Sequence, residues 1–144
     1  MSKTIDSKTE LAIQKGIRQA EDDLVISVEE ALDTCEYPTS GRDKLEESQF
    51  RNLVRVADTT ESPEVVKNFL RYQVGRERKW GRGDKSLAER IIQTVDGMLK
   101  KTAGEIAEKA GDPAEKKRIW MELIRRYLGY GSRYLKYLNS KREG

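Results

Sequence analysis

Arginines recur beside aromatic residues in two stretches of the sequence, and this is the combination best suited to binding a polyanion. The stretches are RYQVGRERKWGRG at residues 71–83 and RRYLGYGSRYLKYL at residues 125–138. A guanidinium group binds phosphate through two parallel hydrogen bonds and stacks on nucleic-acid bases. Glu77 is the one acidic residue within residues 65–83, and Glu122 is the one within residues 118–136. We therefore interpret the arginines as an exposed polyanion-binding surface rather than as cations that only solvate the protein.

The tyrosines of the second stretch allow two interpretations. Tyr130 and Tyr137 lie on the less apolar side of the predicted helix and could stack on exposed bases. Tyr127 and Tyr134 fall on its apolar side, where an aromatic ring packs into a protein core. For the aromatic residues as a group we favour the core interpretation.

The sequence lacks the residues that most enzymes use for acid–base chemistry. It has no histidine and a single cysteine, Cys35, which excludes His-dependent nucleophile pairs, a Cys/His zinc site and an intrachain disulfide. Adjacent acidic pairs such as Glu29/Glu30 and Glu46/Glu47 point about 100° apart on a helix and do not converge on one metal ion. We therefore expect a protein that is not an enzyme and that needs no metal or cofactor.

Two glycine-containing stretches share only part of the pattern of a nucleotide-binding loop. In GRGDKS, Asp84 separates Gly83 from Lys85, whereas a phosphate-binding loop needs Gly-Lys-Ser/Thr in sequence after a strand. Gly129 and Gly131 likewise follow no predicted strand, which excludes a dinucleotide-binding fingerprint. We expect these two glycines to serve close helix packing or a bend.

Charge is distributed unevenly along the chain, although the net charge is only +3. Residues 1–61 contain 8 Lys and Arg against 14 Asp and Glu, a net charge of −6. Residues 62–144 contain 20 Lys and Arg against 11 Asp and Glu, a net charge of +9. This asymmetry indicates either separate acidic and basic faces or two halves whose charges pair with each other inside the molecule.

Apolar residues recur at intervals of three and four through most of the chain, which predicts helices and no strands. The predicted helices cover about residues 8–35, 43–57, 63–80, 85–109 and 113 to the C-terminus. Ser62, Asp84 and Asp112 precede the last three helices as N-caps, and Gly111 suits a left-handed helix end. The sequence thus predicts an all-α fold, a compact bundle of about five mostly antiparallel helices with no sheet.

The length of 144 residues predicts a single helical domain. Within it, residues 1–43 form an acidic N-terminal helix and loop, and residues 44–138 form a basic helical core. No run of residues approaches the ~18 apolar residues of a membrane span, and the first residues, MSKTIDSKTELA, lack the apolar core of a signal peptide. A single cysteine fits a reducing compartment. We predict a cytoplasmic protein with no membrane contact.

Three segments of the sequence together resemble one protein family. They are SQFRNL at residues 48–53, LRYQVGR at residues 70–76 and YLGYGSRY at residues 127–134. They are similar to a Gln-apolar-Arg signature, an apolar-x-Tyr-x-x-Gly-Arg element and a C-terminal helix rich in small residues and tyrosine. These features belong to the small helical subunit of type III-A CRISPR effector complexes, the Csm complexes. The resemblance covers about residues 44–138, although Gly129 and Gly131 stand where the family usually has alanine or phenylalanine.

The resemblance implies a non-catalytic subunit of an antiviral ribonucleoprotein. Members of this family stack head-to-tail in several copies along a guide RNA paired to its target RNA, beside other subunits, and their basic face follows the RNA backbone. The RNA-binding residues carried over by motif are Arg51, Arg71, Arg76 and Arg133. Arg55, Arg78 and Arg126 join them because the helical spacing places them on the same stripes. Arg76 is also a candidate for a buried ion pair with the acidic helices, and the acidic N-terminal helix would suit contact with the next copy.

Two other functions fit the same residues. A general helical DNA- or RNA-binding protein would share the arginine surface, although no helix offers a convincing set of base-reading side chains. A scaffold protein would use the same charges to bind another subunit and would not contact nucleic acid. Binding that weakens steeply with salt distinguishes the two nucleic-acid functions from the scaffold.

Overall fold

The computed structural model describes residues 6–143, which form five helices. The helices are α1 (Ser7–Thr34), α2 (Glu47–Thr59), α3 (Pro63–Arg76), α4 (87–109) and α5 (Lys116–Glu143). Within residues 6–143 an isolated bridge between Glu36 and Ser86 is the one β-type pairing, so the predicted all-α fold is confirmed. Residues 1–5 and Gly144, which belong to the predicted single domain, lie outside the described part of the chain. No helix of the described part is long and apolar enough to cross a membrane.

α5 is the helix around which the others are arranged, since it contacts α1, α2 and α4. α2 runs antiparallel to it, because Glu47 at the start of α2 faces Lys136 and Ala57 near its end faces Arg125. The two helices approach closely at Gly131, which lies in a buried part of α5. A Cβ atom at this position would come within 2.7 Å of the Phe50 ring. The predicted role of Gly131 in close helix packing is therefore confirmed.

α1 packs along α5 in the same direction. Its start is capped by Asp6, whose carboxylate accepts a backbone hydrogen bond from the first turn at 2.8 Å. The apolar stripe predicted from the sequence points to the core, with buried residues Ile13, Ile17, Leu24, Val28 and Leu32 among others. Glu10 near the start of α1 meets Arg118, and Asp33 near its end meets Tyr134. The outer edge of α1 therefore places acidic side chains along the polar side of α5.

α2 begins at Glu47, later than predicted. Leu45 is fully buried, and its N–H donates to the carbonyl of Pro38 at 3.1 Å, which keeps the preceding segment in an irregular turn. The side chain of Gln49 accepts a hydrogen bond from the N–H of Glu46 at 3.1 Å and fixes the start of the helix. The buried face of α2 consists of Phe50, Leu53 and Ala57, in agreement with the predicted apolar face.

α3 begins as predicted but ends earlier. Ser62 caps the helix by accepting the N–H of Val65 at 3.3 Å, and Pro63 occupies the first helical position. The helix ends at Arg76 rather than at Trp80, because Trp80 turns inward and is buried. The turn that allows this has Gly81 at φ +77°, a conformation that disfavours any residue with a Cβ.

α4 differs from the prediction at its start and in its middle. Ser86, not Asp84, is the N-cap, and its hydroxyl accepts the N–H of Glu89 at 3.1 Å. Two α-helical parts, Leu87–Thr94 and Lys100–Lys109, flank a π-helical turn at Val95–Leu99. The wider turn inserts an extra residue into the helical repeat.

The π turn shifts the buried stripe of α4 by one position. The apolar period of the sequence predicts Met98 and Thr102 among the buried residues of this helix, but both are only half-buried. Leu99 and Ala103 are fully buried in their place. Val95 in the π turn and Ile106 beyond it are buried as predicted, so the predicted core of α4 is wrong at Met98 and Thr102.

The connection from α4 to α5 follows the predicted glycine signal. Gly111 adopts φ +81°, and the N–H of Asp112 donates to the carbonyl of Ala107 at 3.0 Å, which closes the end of α4. A 3-10 turn at Pro113–Glu115 then leads into α5. The short connection brings α5 back against α4.

Candidate nucleic-acid interface

The outer side of α3 carries two arginines and an exposed tyrosine. Val66 and Leu70 are buried and fix which side of the helix faces the core. Arg71, Tyr72 and Arg76 lie on the opposite side and are all exposed. The guanidinium carbon of Arg76 lies 6.0 Å from the centre of the Tyr72 ring, within the range of a cation–π contact. α3 thus presents two positive charges with an aromatic ring between them.

The outer side of α2 adds two more arginines. Arg51 and Arg55 are four residues apart, which places them next to each other on the helix surface, and both are exposed. Arg55 donates to the side-chain carbonyl of Asn52 at 3.2 Å. This neutral contact orients the guanidinium without cancelling its charge.

A polar groove of about 120 Å³ joins the two helices. Its lining consists of Gln49, Asn52, Gln73, Arg76 and Glu77. Asn52 therefore lies beside both the arginines of α2 and Arg76 of α3, and the groove joins the outer side of α2 to this edge of α3. Arg71 lies towards the other edge of α3, where it lines a depression with Asp84 and Glu89. We call Arg51, Arg55, Arg71, Tyr72 and Arg76, with Asn52 between them, the α2–α3 surface.

The arginines of the α2–α3 surface have no carboxylate partner within residues 6–143. The cations of this part of the chain that do form ion pairs are Lys44, Lys67, Arg118, Arg125, Arg126 and Lys136. A buried ion pair of Arg76, one of the two roles expected for it, is therefore not formed there, because its side chain is exposed. The unpaired guanidinium groups leave the α2–α3 surface with an excess of positive charge.

The arginines of α5 do not belong to this surface, contrary to the expectation of a common wall. Arg126, predicted to bind RNA, forms ion pairs with Glu21 of α1 at 2.8 Å and with Glu122 at 3.0 Å. Partial burial alone would lower the pKa of the Arg126 guanidinium, but these two carboxylates outweigh it and raise the pKa above its ordinary value. Arg118 pairs with Glu115 at 2.7 Å and with a glutamate of α1 at 2.8 Å.

Arg125 is held by the end of α2. Its guanidinium donates to the carbonyl oxygens of Ala57 and Thr60, each at 2.9 Å, and pairs with Glu61 at 3.2 Å. These carbonyls lie at the C-terminal end of α2, where the helix dipole favours a cation. Together with Arg118 and Arg126, Arg125 therefore joins helices to one another. For α5, the interpretation that the two halves of the chain pair their charges is confirmed.

Arg78 lies beyond the end of α3 and not on the helical stripe assigned to it. It is exposed in the turn that follows α3, and with Arg82 it lines a shallow depression beside Tyr37. The stripe argument is wrong for Arg78 because it extended the helix past Arg76. Arg78 nevertheless forms no ion pair within residues 6–143. In the sequence it lies two positions after Arg76 of the α2–α3 surface.

Arg133 is the one arginine among residues 116–138 of α5 that stays exposed without an ion pair. It lines a shallow groove between α1 and α5 together with Glu29 and Tyr137. The groove therefore contains both a cation and a carboxylate. Arg133 does not line the polar groove that joins α2 and α3.

The tyrosines of α5 mostly serve the fold, as we favoured. Tyr127 is fully buried, and the hydroxyls of Tyr130 and Tyr134 donate to carboxylates of α1 at 3.1 Å and 2.8 Å. Tyr137 is exposed, with its ring 5.9 Å from that of Tyr134. Sequence reasoning overlooked Tyr72 as an exposed ring, although its position opposite the apolar residues of α3 on a helical wheel indicates exposure.

Two other features of the described residues offer no better site. A cleft of about 480 Å³ between α1 and α4 is lined partly by the small residues Ala12, Gly16 and Ala20. It lies apart from the α2–α3 surface. Within residues 6–143, no group of three or more Asp, Glu or Cys side chains is arranged to hold a metal ion.

Comparison of the chain with protein-family models, with curated proteins and with solved structures finds no match.

Proposed function

We propose that this protein is a non-catalytic, RNA-binding small subunit of a type III-A CRISPR effector complex. In this proposal the α2–α3 surface binds the backbone of guide or target RNA through arginine–phosphate contacts, and the bases are paired by the RNA strands themselves. The protein works in the cytoplasm beside the other subunits of the complex. The observation that carries the proposal is the set of four exposed arginines on neighbouring helices that no carboxylate of the described residues neutralises.

The position of the motifs supports the same proposal. Two of the three segments that resemble the family, SQFRNL and LRYQVGR, contain Arg51, Arg71 and Arg76. The two segments belong to the neighbouring helices α2 and α3, whose outer sides meet at the groove beside Asn52 and Arg76. Arg78 in the turn after α3 and Arg133 on α5 add separate exposed cations, and Arg126 serves the fold instead.

Head-to-tail stacking of copies is part of the proposal. In this contact the acidic side chains of α1 in one copy face the basic surface of the next copy. Glu10 and Glu21 of α1 already form ion pairs with arginines of α5 in the same molecule. Asp22, Asp23 and Glu30 remain exposed on the outside of α1. These carboxylates offer a complementary contact for the basic face of a neighbouring copy.

The salt dependence of RNA binding tests the proposal directly. Each phosphate neutralised on a single strand contributes about −0.7 to the slope of log affinity against log salt, so four to six arginine contacts predict a slope of about −3 to −4. Fluorescence anisotropy with an unstructured labelled RNA, started at low salt, measures it. Removing two contacts with R71Q/R76Q should reduce the slope by about 1.4. Absence of binding, or a slope near zero, would instead favour the scaffold function.

A charge-matched variant controls for the loss of net charge. Lys101 and Lys117 are exposed on α4 and at the start of α5, away from the α2–α3 surface. K101Q/K117Q removes the same two charges and should leave the slope nearly unchanged. Equal losses in both double variants would contradict a localised surface.

A second measurement separates a CRISPR subunit from a general nucleic-acid-binding protein. The chain is expected to bind a guide–target RNA duplex more tightly with its partner subunits present than alone, because stacked copies add their contacts. A general binder would hold DNA and unrelated RNA equally well and would gain nothing from those subunits.

A further inference from the structure

We propose that Tyr72 is a stacking platform for an unpaired RNA base, so that the α2–α3 surface, besides contacting the backbone of paired RNA, binds nucleotides that are left unpaired. The inference rests on the proposed function and adds a base contact to the phosphate contacts of this surface. It follows from the exposure of the Tyr72 ring, the open space beside it and the two arginines that flank it.

Tyr72 contributes little to the protein core. Its side chain is 58% exposed, and its hydroxyl forms no hydrogen bond with other described residues. The ring centre lies 6.4 Å from that of Phe69 at a tilt of 43°, so this partly buried neighbour supports it along the helix. A supported ring exposed to solvent can receive a base against its free face without rearrangement.

Gly75 leaves the space next to this ring open. A side chain on a helix leans towards the N-terminus and covers the residues three and four positions earlier, which for position 75 are Tyr72 and Arg71. Apart from its chain neighbours and the backbone of α3 itself, a Cβ atom at position 75 would have no described heavy atom within 4 Å, so packing does not require glycine there. Glycine disfavours a helix relative to alanine, and its presence in the last turn of α3 leaves the approach to Tyr72 clear.

The arginines on either side of the ring fit the rest of a nucleotide. Arg71 precedes Tyr72 directly, and Arg76 follows it by four residues and contacts its ring. A base stacked on the ring would place its flanking phosphates near these two guanidinium groups, whose planar forks bind phosphate. The same two charges have no partner among the described residues, so they need not leave an ion pair to bind RNA.

Tyr137 provides a natural comparison within the chain. It is exposed to nearly the same extent, 57%, but shares its groove with Glu29. Its ring is tilted 30° against that of Tyr134, whose hydroxyl is bonded to Asp33. The nearby carboxylates repel phosphate, so exposure alone does not make Tyr137 a site for a nucleotide.

The test measures binding of an unstructured single-stranded RNA and of a blunt RNA duplex of the same length to three variants. Y72A should bind the single strand at least about fivefold more weakly than the wild type, because one stacked base contributes about 1–3 kcal/mol and ~1.4 kcal/mol is tenfold in affinity. It should bind the duplex within about twofold of the wild type. Y72F keeps the ring and should retain affinity, and Y137A should bind both RNAs normally.

A second variant separates stacking from a disturbance of the helix. G75L keeps Tyr72 and both arginines but covers the ring, so it should lose single-strand affinity as Y72A does, while circular dichroism and the melting temperature show an intact fold. The matched variant G75A is too short to cover the ring and should bind like the wild type. Equal losses on single strand and duplex in Y72A, or an unchanged affinity in Y72A and G75L, would overturn the stacking role.

The outcomes for stacking and for RNA binding itself remain distinguishable. If R71Q/R76Q weakens binding while Y72A does not, the arginine surface stands and the stacking platform is wrong. If the wild type binds neither RNA at low salt, the proposed function and the inference built on it both fail.

Discussion

Whether an arginine of this protein forms an ion pair depends on the helix that packs against it, not on its neighbours in the sequence. Arg126 and Arg71 both occupy stretches with one local acidic residue, and both were predicted to bind RNA. Arg126 forms an ion pair with Glu21, which lies 105 positions earlier in the chain, whereas Arg71 forms no ion pair within residues 6–143. Charge counts along the sequence detect only local compensation. The pairing of α1 with α5 could therefore not be predicted before the helices were placed side by side.

Lys67 is the clearest case of a cation committed to the fold, and it supports a stability prediction. Its side chain is 7% exposed, and its ammonium group lies 2.7 Å from Asp96 and 2.8 Å from Glu64. Burial alone would lower the pKa of Lys67, but the two carboxylates outweigh it and raise the pKa. E64A or D96A alone should cost about 1 kcal/mol of unfolding free energy, because one carboxylate remains.

The double variant E64A/D96A should cost about 3 kcal/mol, more than the sum of its parts, because it leaves a buried ammonium without a counter-ion. Urea denaturation at pH 7 measures these differences. In a K67M background the ammonium is absent, so E64A and D96A should there have small and additive effects. Additive costs with Lys67 present would show that the buried charge does not need its partners.

The hydrogen bond from Tyr134 to Asp33 leads to a prediction about alkaline pH. The hydrogen bond to Asp33 and the neighbouring negative charges favour the neutral phenol and raise the pKa of Tyr134 from 10.0 to about 12. The folded state therefore keeps this proton where the unfolded state loses it. The bond contributes its full stability below pH 10, and that contribution disappears as the pH rises from about 10 to about 12.

Ultraviolet titration of tyrosinate absorbance checks the raised pKa. The difference between the wild type and Y134F isolates this residue and should show a transition near pH 12. D33N removes the negative charge and should move the transition back towards pH 10. A transition near pH 10 in the wild type would show that the bond to Asp33 does not persist in solution.

At the scale of helices, local signals predicted starts and ends well, and tertiary packing decided the exceptions. Ser62 and Gly111 act where the sequence placed them, since a cap depends only on adjacent backbone groups. Trp80 ends α3 early because burying its ring outweighs continuing the helix. The π turn of α4 has no signal in the apolar period, so two predicted core residues, Met98 and Thr102, are only half-buried, and Leu99 and Ala103 are buried in their place.

Two glycines of α5 provide a matched test of helix packing. Gly131 lies where a Cβ atom would come within 2.7 Å of Phe50 and 2.8 Å of Val28, whereas a Cβ atom at Gly129 would have no such contact within 4 Å outside its chain neighbours and the backbone of α5. G131A should therefore lower the unfolding free energy by about 1–3 kcal/mol through overpacking. G129A should raise it by up to about 1 kcal/mol, because alanine favours a helix over glycine.

Denaturant midpoints of the two variants, compared with the wild type, decide this prediction. Each variant adds one methyl group to the same helix, two positions apart, so differences in helix propensity cancel between them. Equal shifts in the same direction would contradict the close contact of α5 with α1 and α2 at Gly131.

At the scale of the whole molecule, ion pairing divides the positive charge into a structural set and a free set. The structural set joins α5 to α1 and α2, which explains how a chain with an acidic first half and a basic second half folds onto itself. The free set includes the arginines of α2, α3 and the turn after α3, and also Arg133 of α5 and the exposed Lys101 and Lys117. The sequence predicted that an excess of positive charge exists and which segments resemble an RNA-binding family. The structure adds which arginines form no ion pair among the described residues.

This division predicts that variants of the two sets change different properties. R126Q breaks two ion pairs of a partly buried guanidinium and should lower the unfolding free energy by about 1 kcal/mol, because hydrogen bonds between charged groups contribute about that much or more. Its RNA affinity should stay within about twofold of the wild type. R71Q should show the reverse, with unchanged stability and weaker RNA binding, because Arg71 is exposed and has no described partner. Thermal unfolding and fluorescence anisotropy on the same two samples measure both properties, and a loss of RNA affinity in R126Q at unchanged stability would place Arg126 back among the RNA-binding residues.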